Sequence, residues 1–302
     1  MNMPRPDHAD TPRGLAFAIS AYLLWGVLPL YLKALSDFPP MEVLAHRVLW
    51  SVPVAGALLI ALGRTSDLRA AIANPRMLSM AMLTASLVAV NWGIYVWAVS
   101  AGHTVDAALG YYINPLFSVF LGWLLLGERL TRAQVAAVAL AALAVVTLTI
   151  AAGSLPWVAI ALMFSWGFYA YFKRALPIGP NQGFLLEVLL LSPVALGYLF
   201  YLSATGQNHF TATPAAPWLL IGTGLVTAIP LILYANGAKG LRLSTIGILQ
   251  YIAPTMIFLI AVFVFDEPFT RSRMIAFPMI WAALIIYSGS LFAARRKRQE
   301  KV

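Results

Sequence analysis

Ten stretches of about twenty mostly apolar residues, each bounded by short polar or Pro/Gly-marked breaks, leave this chain few folds to choose from. They lie at approximately 14–34, 41–62, 77–99, 104–126, 132–151, 154–174, 181–203, 214–238, 242–264 and 270–292. A helix rising 1.5 Å per residue needs about 20 residues to cross a hydrocarbon core of about 30 Å, so each stretch is long enough to span a bilayer. Most connections are short, which makes neighbouring spans antiparallel. Composition agrees: 61% of the residues are hydrophobic and 10% charged, where a soluble chain holds about 45–50% apolar and about 25% charged residues. Too little polar surface exists to cover a soluble globule, so a soluble enzyme, a disordered tail and a nucleic-acid-binding module are excluded. Without cysteine there is no disulfide, thiolate chemistry or Cys-based metal site. Residues 1–13 are polar and the first apolar run is long enough to stay in the membrane, so no cleaved signal peptide is expected.

Charge sets the orientation. The 20 Lys and Arg against 11 Asp and Glu give a net charge of +9, and membrane proteins gather such an excess in cytoplasmic loops. Arg5, Arg13, Arg64, Arg69, Arg76, Arg129, Arg132, Lys173, Arg174, Lys239, Arg242 and the five basic residues of 295–301 all fall on one side of the ten-span plan. Only Lys33, Arg271 and Arg273 fall on the other, and Arg47 lies inside a span. Both termini are therefore expected in the cytoplasm, with the basic tail 293–302 held at anionic lipid.

The chain also reads twice. YINPLFSVFLGWLLLGERLTR (112–132) aligns without gaps on YIAPTMIFLIAVFVFDEPFTR (251–271), and AISAYLLWGVLPLYLKAL (18–35) lies over AIALMFSWGFYAYFKRAL (159–176). The offsets are nearly equal, and each pair falls in corresponding spans. The chain thus divides into a tail at 1–13, one five-helix repeat at 14–151 and a second at 154–292. An odd number of spans per half forces the second copy to enter the membrane from the opposite face. The expected fold is an all-α membrane protein of ten transmembrane helices in two inverted five-helix repeats. Such symmetry lets one pair of packings open alternately to either side.

Inverted-repeat carriers tend to bind their substrate near the bilayer centre. Counting depth at about 1.5 Å per residue brings Trp25, Trp166, Asn114, Pro115, Gln250 and Pro254 there. The two prolines free the carbonyls of Tyr111 and Gln250, tolerated at that depth where they line a cavity. Tyr22, Trp92, Tyr95, Trp97, Tyr111, Tyr112, Tyr169 and Tyr251 thicken the region with flat apolar faces and polar edges. Some of these pack or sit in interfacial belts, and the glycines of the Trp-Gly pairs also suit close helix approach.

Ionisable groups inside spans mark functional candidates. Glu42 and His46, at i and i+4, share a helix face and can hydrogen-bond. Arg47 follows, about 9 Å from the outer end, with Glu187 at the symmetry-related depth from the cytoplasmic end. Inversion separates those two charges by about 12 Å in depth, so they are not expected to pair. Two roles stay open for the cluster: Arg47 binding carbonyls or Glu42 as a structural tie, or Glu42 and His46 carrying a proton, since His titrates near neutral pH. Glu128, Asp266 and Glu267 precede Thr131 and Thr270 and read as caps of the fifth and tenth spans, with Thr131 and Gln134 forming a capping box.

No zincin, Walker or nucleophile-elbow motif occurs, and no cofactor is called for. The residues instead resemble a family. AYLLWGVLPLYLKAL, EVLAHRVLWS, NWGIYVWAV, ALGYYINPLFSV and GERLTRAQ, with LQYIAPT and DEP in the second half, resemble the RarD-like subfamily of EamA-type permeases, in the drug/metabolite transporter superfamily. The resemblance covers residues 14–292. It implies an inner-membrane permease, not an enzyme, that exports a small organic solute such as an amino-acid-like or drug-like molecule. Carried over by position, it implies a central cavity at Trp25, Tyr95, Tyr112, Asn114, Trp166 and Tyr251. The expected partners are that solute and the lipid bilayer, with protons joining them under the coupling role of Glu42 and His46. An uncoupled facilitator and a non-transporting scaffold are the rival readings.

Overall fold

The computed structural model describes residues 10–63, 65–127, 129–238, 240–241 and 243–299. All regular structure among the described residues is helical: α1 (Pro12–Lys33), α2 (Pro40–Ala61), α3 (Thr65–Ile72), α4 (Pro75–Ser100), α5 (Thr104–Leu126), α6 (Arg132–Ala152), α7 (Trp157–Ala175), α8 (Pro180–Ala204), α9 (Ala216–Ala238), α10 (Leu243–Leu249), α11 (Ile252–Phe263) and α12 (Arg271–Gln299). Local chemistry explains many of the ends. Thr11 and Asn74 accept backbone N–H bonds ahead of Pro12 and Pro75, and Thr131 and Gln134 close the expected capping box. Gly127 and Gly153 end α5 and α6 in the left-handed conformation that only glycine adopts cheaply.

Among the described residues nine helical segments are long and apolar enough to cross a membrane. The expected sixth span, α7, falls outside that set: it has 19 residues and carries Lys173 and Arg174 in its last turn. The expected ninth span is broken. It forms α10 and α11 around a turn at Gln250–Tyr251, and Pro254, which lacks an N–H, falls in the first turn of α11, where none is needed. The connection between the second and third spans holds α3, whose eight residues cannot cross a membrane. Glu128 lies outside the described residues.

The packing is two-fold. Helices α1, α2, α4, α5 and α6 correspond in the repeat to α7, α8, α9, α10–α11 and α12. Each of α2, α5 and α6 packs on its own counterpart: α2 on α8, α5 on α11, α6 on α12. The remaining large contacts come in exchanged pairs. Contact of α1 with α9 is matched by α7 with α4, α2 with α9 by α8 with α4, and α1 with α11 by α7 with α5. Exchange of the halves thus maps each large contact onto another, as two inverted repeats require, with α2–α9 more extensive than its image α8–α4.

The Trp-Gly pairs show why. A Cβ on Gly167 would stand 2.4 Å from Cδ1 of Phe117 on α5, and one on Gly26 would stand 2.8 Å from Cβ of Met256 on α11. Phe117 and Met256 are themselves equivalent in the repeat, so the same glycine admits the same neighbour in each half. At the periphery α6 buries a stripe of Ala137, Ala141, Ala144 and Leu148, and α12 offers Ala276, Ile280 and Ala283. Small residues let these two backbones approach where lipid supplies no hydrophobic drive. Ile150, Phe200 and Trp218, each 77% exposed, face outward as a lipid-facing surface does.

Gly167→Val should therefore destabilise the detergent-solubilised protein by about 1–3 kcal/mol through overpacking against Phe117. Gly197→Ala, whose new Cβ meets nothing within 4 Å, should leave the thermal midpoint level or slightly raised. Thermal unfolding of the two variants side by side measures the difference.

Candidate functional site

A cavity of about 740 Å³ lies between the halves, lined from α1, α2, α4, α5, α7, α8, α9 and the α10–α11 break. Its walls are aromatic: Tyr22, Trp25 and Tyr234 form one edge-on cluster with ring centroids 5.6–5.8 Å apart, and Trp166 leans on Tyr169 at 5.4 Å. Toward the end of the bundle that holds the α7–α8 turn, the lining runs out through Leu58, Leu59, Arg174, Pro180 and Asn181. This is the end where the basic loops gather.

Polar groups concentrate deeper in. Arg47, buried on α2, donates from Nε to the Thr227 hydroxyl at 2.7 Å and lies over the Trp92 ring at 4.6 Å. Asn91 donates to the Leu162 carbonyl and the Ser165 hydroxyl, and accepts from the Tyr111 hydroxyl at 3.2 Å. Arg47 Nη1, the Tyr95 hydroxyl and both amide atoms of Asn114 are buried without a hydrogen-bond partner. Lys173 is paired: its Nζ lies 2.6 Å from Glu187 Oε1, and the Tyr169 hydroxyl donates to Oε2. Among the described residues no three His, Asp or Glu side chains come together as a metal site.

The opposite end is sealed by two buried carboxylates. Glu42 is fully buried and accepts the His209 backbone N–H at 2.8 Å, while His209 Nδ1 lies 2.7 Å from its other oxygen. Glu267 accepts the N–H groups of Thr104 and Val105 at 2.8 and 2.9 Å, gripping the start of α5 from the opposite half. Asp106 and Arg273 add an ion pair at 2.9 Å beside it, and His46 stacks on Phe210 at 5.4 Å.

Of the residues singled out in the sequence, Tyr22, Trp25, Arg47, Trp92, Tyr95, Tyr111, Asn114, Trp166, Tyr169, Gln250 and Pro254 line the cavity together. Tyr112, Pro115 and Tyr251 do not. Tyr112 turns away to donate to Thr255 and to pack on Phe277 and Trp281, because adjacent helical positions face about 100° apart and Tyr111 takes the inward direction. The partners of the charged cluster also need correction. Glu42 binds His209 and not His46, whose Nδ1 instead accepts the Trp50 indole N–H at 3.2 Å. Among the described residues Arg47 binds neither Glu42 nor a carbonyl but the Thr227 hydroxyl. Glu267 does cap a helix, yet it is α5 and not the helix that follows it in sequence. Asp266 makes that reach possible by adopting a positive φ of 53°, a conformation Asp tolerates better than most residues.

Asn91, Thr227, His209 and the inward role of Lys173 escaped the sequence reading. The depth count that marked Asn114 would also have marked Asn91. Lys173 was hidden among the loop charges, and nothing local ties His209 to a glutamate 167 positions earlier.

Two inverted helical halves enclosing a central aromatic and polar cavity define a multi-pass membrane protein of the transporter type. The EamA-like transporter family profile matches residues 12–150, which is the first half of the fold. An uncharacterized transporter of Vibrio cholerae is 44% identical over 299 residues, covering 97% of this chain and 99% of that one. The protein RarD of Streptomyces exfoliatus is 43% identical over 287 residues, covering 94% and 91%. A solved crystal structure shares the fold at a TM-score of 0.60 and 23% identity, over 93% of this chain and 98% of its own. The chain belongs to the EamA-like transporter family, and within it to the RarD-like proteins.

Hydrogen bonds to charged groups contribute about 1.5–3 kcal/mol each. Glu267→Ala should therefore raise the amide exchange of Thr104 and Val105 at least about ten-fold, with the α6–α12 contact unchanged. Hydrogen–deuterium exchange by mass spectrometry reads both regions in one experiment.

Proposed function

We propose that this protein is a secondary transporter that moves a small organic solute across the inner membrane by alternating access. The observation that carries the reading is the asymmetry of the cavity: its lining reaches the basic end through Leu58, Arg174 and Asn181, while Glu42 and Glu267 tie the other end shut. Basic loops lie in the cytoplasm by the positive-inside rule, so the conformation is inward-facing and both termini are cytoplasmic. In a pseudo-symmetric molecule, exchanging the packings of the two halves would convert this state to its outward-facing counterpart. A solute taken up from the cytoplasm and released outside is exported.

Protons are the proposed coupling ion. Glu42, His46 and His209 meet at the sealed end, where a carboxylate accepting a backbone N–H holds the loop before α9 in place. Protonating Glu42 would remove the charge that strengthens that bond and loosen the seal as the outward state forms. No catalytic constellation is part of this reading, and the family relatives named for a role are named as transporters.

Proteoliposomes loaded with a panel of small metabolites test it. Efflux of at least one solute should exceed that of protein-free vesicles and respond to an imposed proton gradient. His46→Gln should keep the flux and lose its response to the gradient. An unchanged response discards the proton step, and absence of flux for the whole panel discards transport.

A further inference from the structure

We infer that the cavity selects a monoanionic amphiphile, held by a carboxylate on Arg47, Tyr95 and Asn114 with its apolar body against the Trp25–Tyr22–Tyr234 cluster. The inference rests on the transport reading only for its physiological meaning, since binding alone is what it describes.

The charge arithmetic of the cavity comes first. Arg47, Lys173 and Arg174 are the only ionisable Lys, Arg, Asp or Glu side chains among its lining residues. Lys173 is already neutralised by Glu187, and Arg174 is exposed at the mouth. Arg47 is left as one buried positive charge, and among the described residues no carboxylate pairs with it. A guanidinium taken out of water without a counter-ion is costly, so a site that keeps one is poised for an anion.

The hydrogen-bond inventory then selects the kind of anion. Arg47 has Nε committed to Thr227 and one face to Trp92, while Nη1 is free. The Tyr95 hydroxyl and the Asn114 amide are equally unpartnered and line the same cavity. The α4 and α5 faces that carry them are locked together by the Tyr111–Asn91 bond, so the donors are held in place before any ligand arrives. Three unpartnered donor groups on the wall of one cavity, with a single unpaired charge among them, match a planar carboxylate. A phosphate dianion would need a second free cation, and Lys173 on the same lining is committed to Glu187. An ammonium group finds no carboxylate on the lining. The apolar wall next to Trp25 has no comparable set of unpartnered atoms, and it suits a ring or an alkyl body.

Purified full-length protein in detergent tests this with three isosteric probes: indole-3-acetate, indole-3-acetamide and tryptamine. Thermal midpoint and intrinsic Trp fluorescence report binding, since Trp25, Trp92 and Trp166 all line the cavity. Indole-3-acetate should bind saturably, and at least ten-fold more tightly than the amide, with tryptamine weaker still. Arg47→Gln should abolish the preference for the acid. Because a buried arginine variant can fail to fold, Tyr95→Phe and Asn114→Ala serve beside it, each expected to weaken the acid about ten-fold and leave the amide unchanged. Equal binding of acid and amide, preference for the cation, or no saturable response to the acid overturns the proposal. Those results leave the transport reading standing, because accessibility and flux are measured without these probes; loss of flux with the acid preference intact would instead overturn transport alone.

Discussion

An odd number of membrane crossings in each half is the constraint from which the architecture follows. Five helices return the chain to the opposite face, so the second copy is threaded upside down and the two copies can meet only about an axis in the membrane plane. Every large contact then has either itself or an exchanged pair as its image. Gly26 and Gly167 show the rule at atomic scale, each clearing space for the equivalent residue of a neighbouring helix, Met256 or Phe117. Packing of this kind is tight where small residues meet and cannot shift by degrees. It favours two discrete arrangements over a continuous range.

Against that frame of apolar contacts, the buried polar groups divide by depth. At the sealed end, Glu42 and Glu267 are each engaged by backbone N–H groups from a distant part of the chain. Such groups are strong in a low-dielectric setting yet sensitive to a proton or to a competing water. Nearer the centre, Arg47, Tyr95 and Asn114 keep polar atoms unpaired, a condition that a membrane interior penalises unless a ligand or water completes it. One set holds a boundary closed and the other waits at its floor.

Spans and symmetry were legible because period, length and self-similarity are long-range averages that no single residue can spoil. The start of α6 was marked by local chemistry, the capping box of Thr131 and Gln134. The break at Gln250–Tyr251 was less so: Pro115 occupies the matching place in α5 and is accommodated there without a break. Direction around a helix was the harder problem. Tyr111 and Tyr112 differ by one position and face different environments, and only the neighbouring helices decide which. Pairings such as Glu42 with His209 and Glu267 with the start of α5 depend on loops more than 160 residues away, beyond any local pattern. The family resemblance added the transporter class, and the geometry added which of its aromatic residues share one cavity.

The most direct test of the central claim uses the absence of cysteine from this chain. Ser118→Cys and Ile257→Cys place single thiols on the cavity wall, to be challenged with a membrane-impermeant reagent from each side of oriented vesicles. The account predicts labelling from the side of the basic loops and protection from the other, with the pattern reversing when Glu42→Gln and Glu267→Gln weaken the seal together. Labelling from both sides at once, or from neither in both backgrounds, would contradict it.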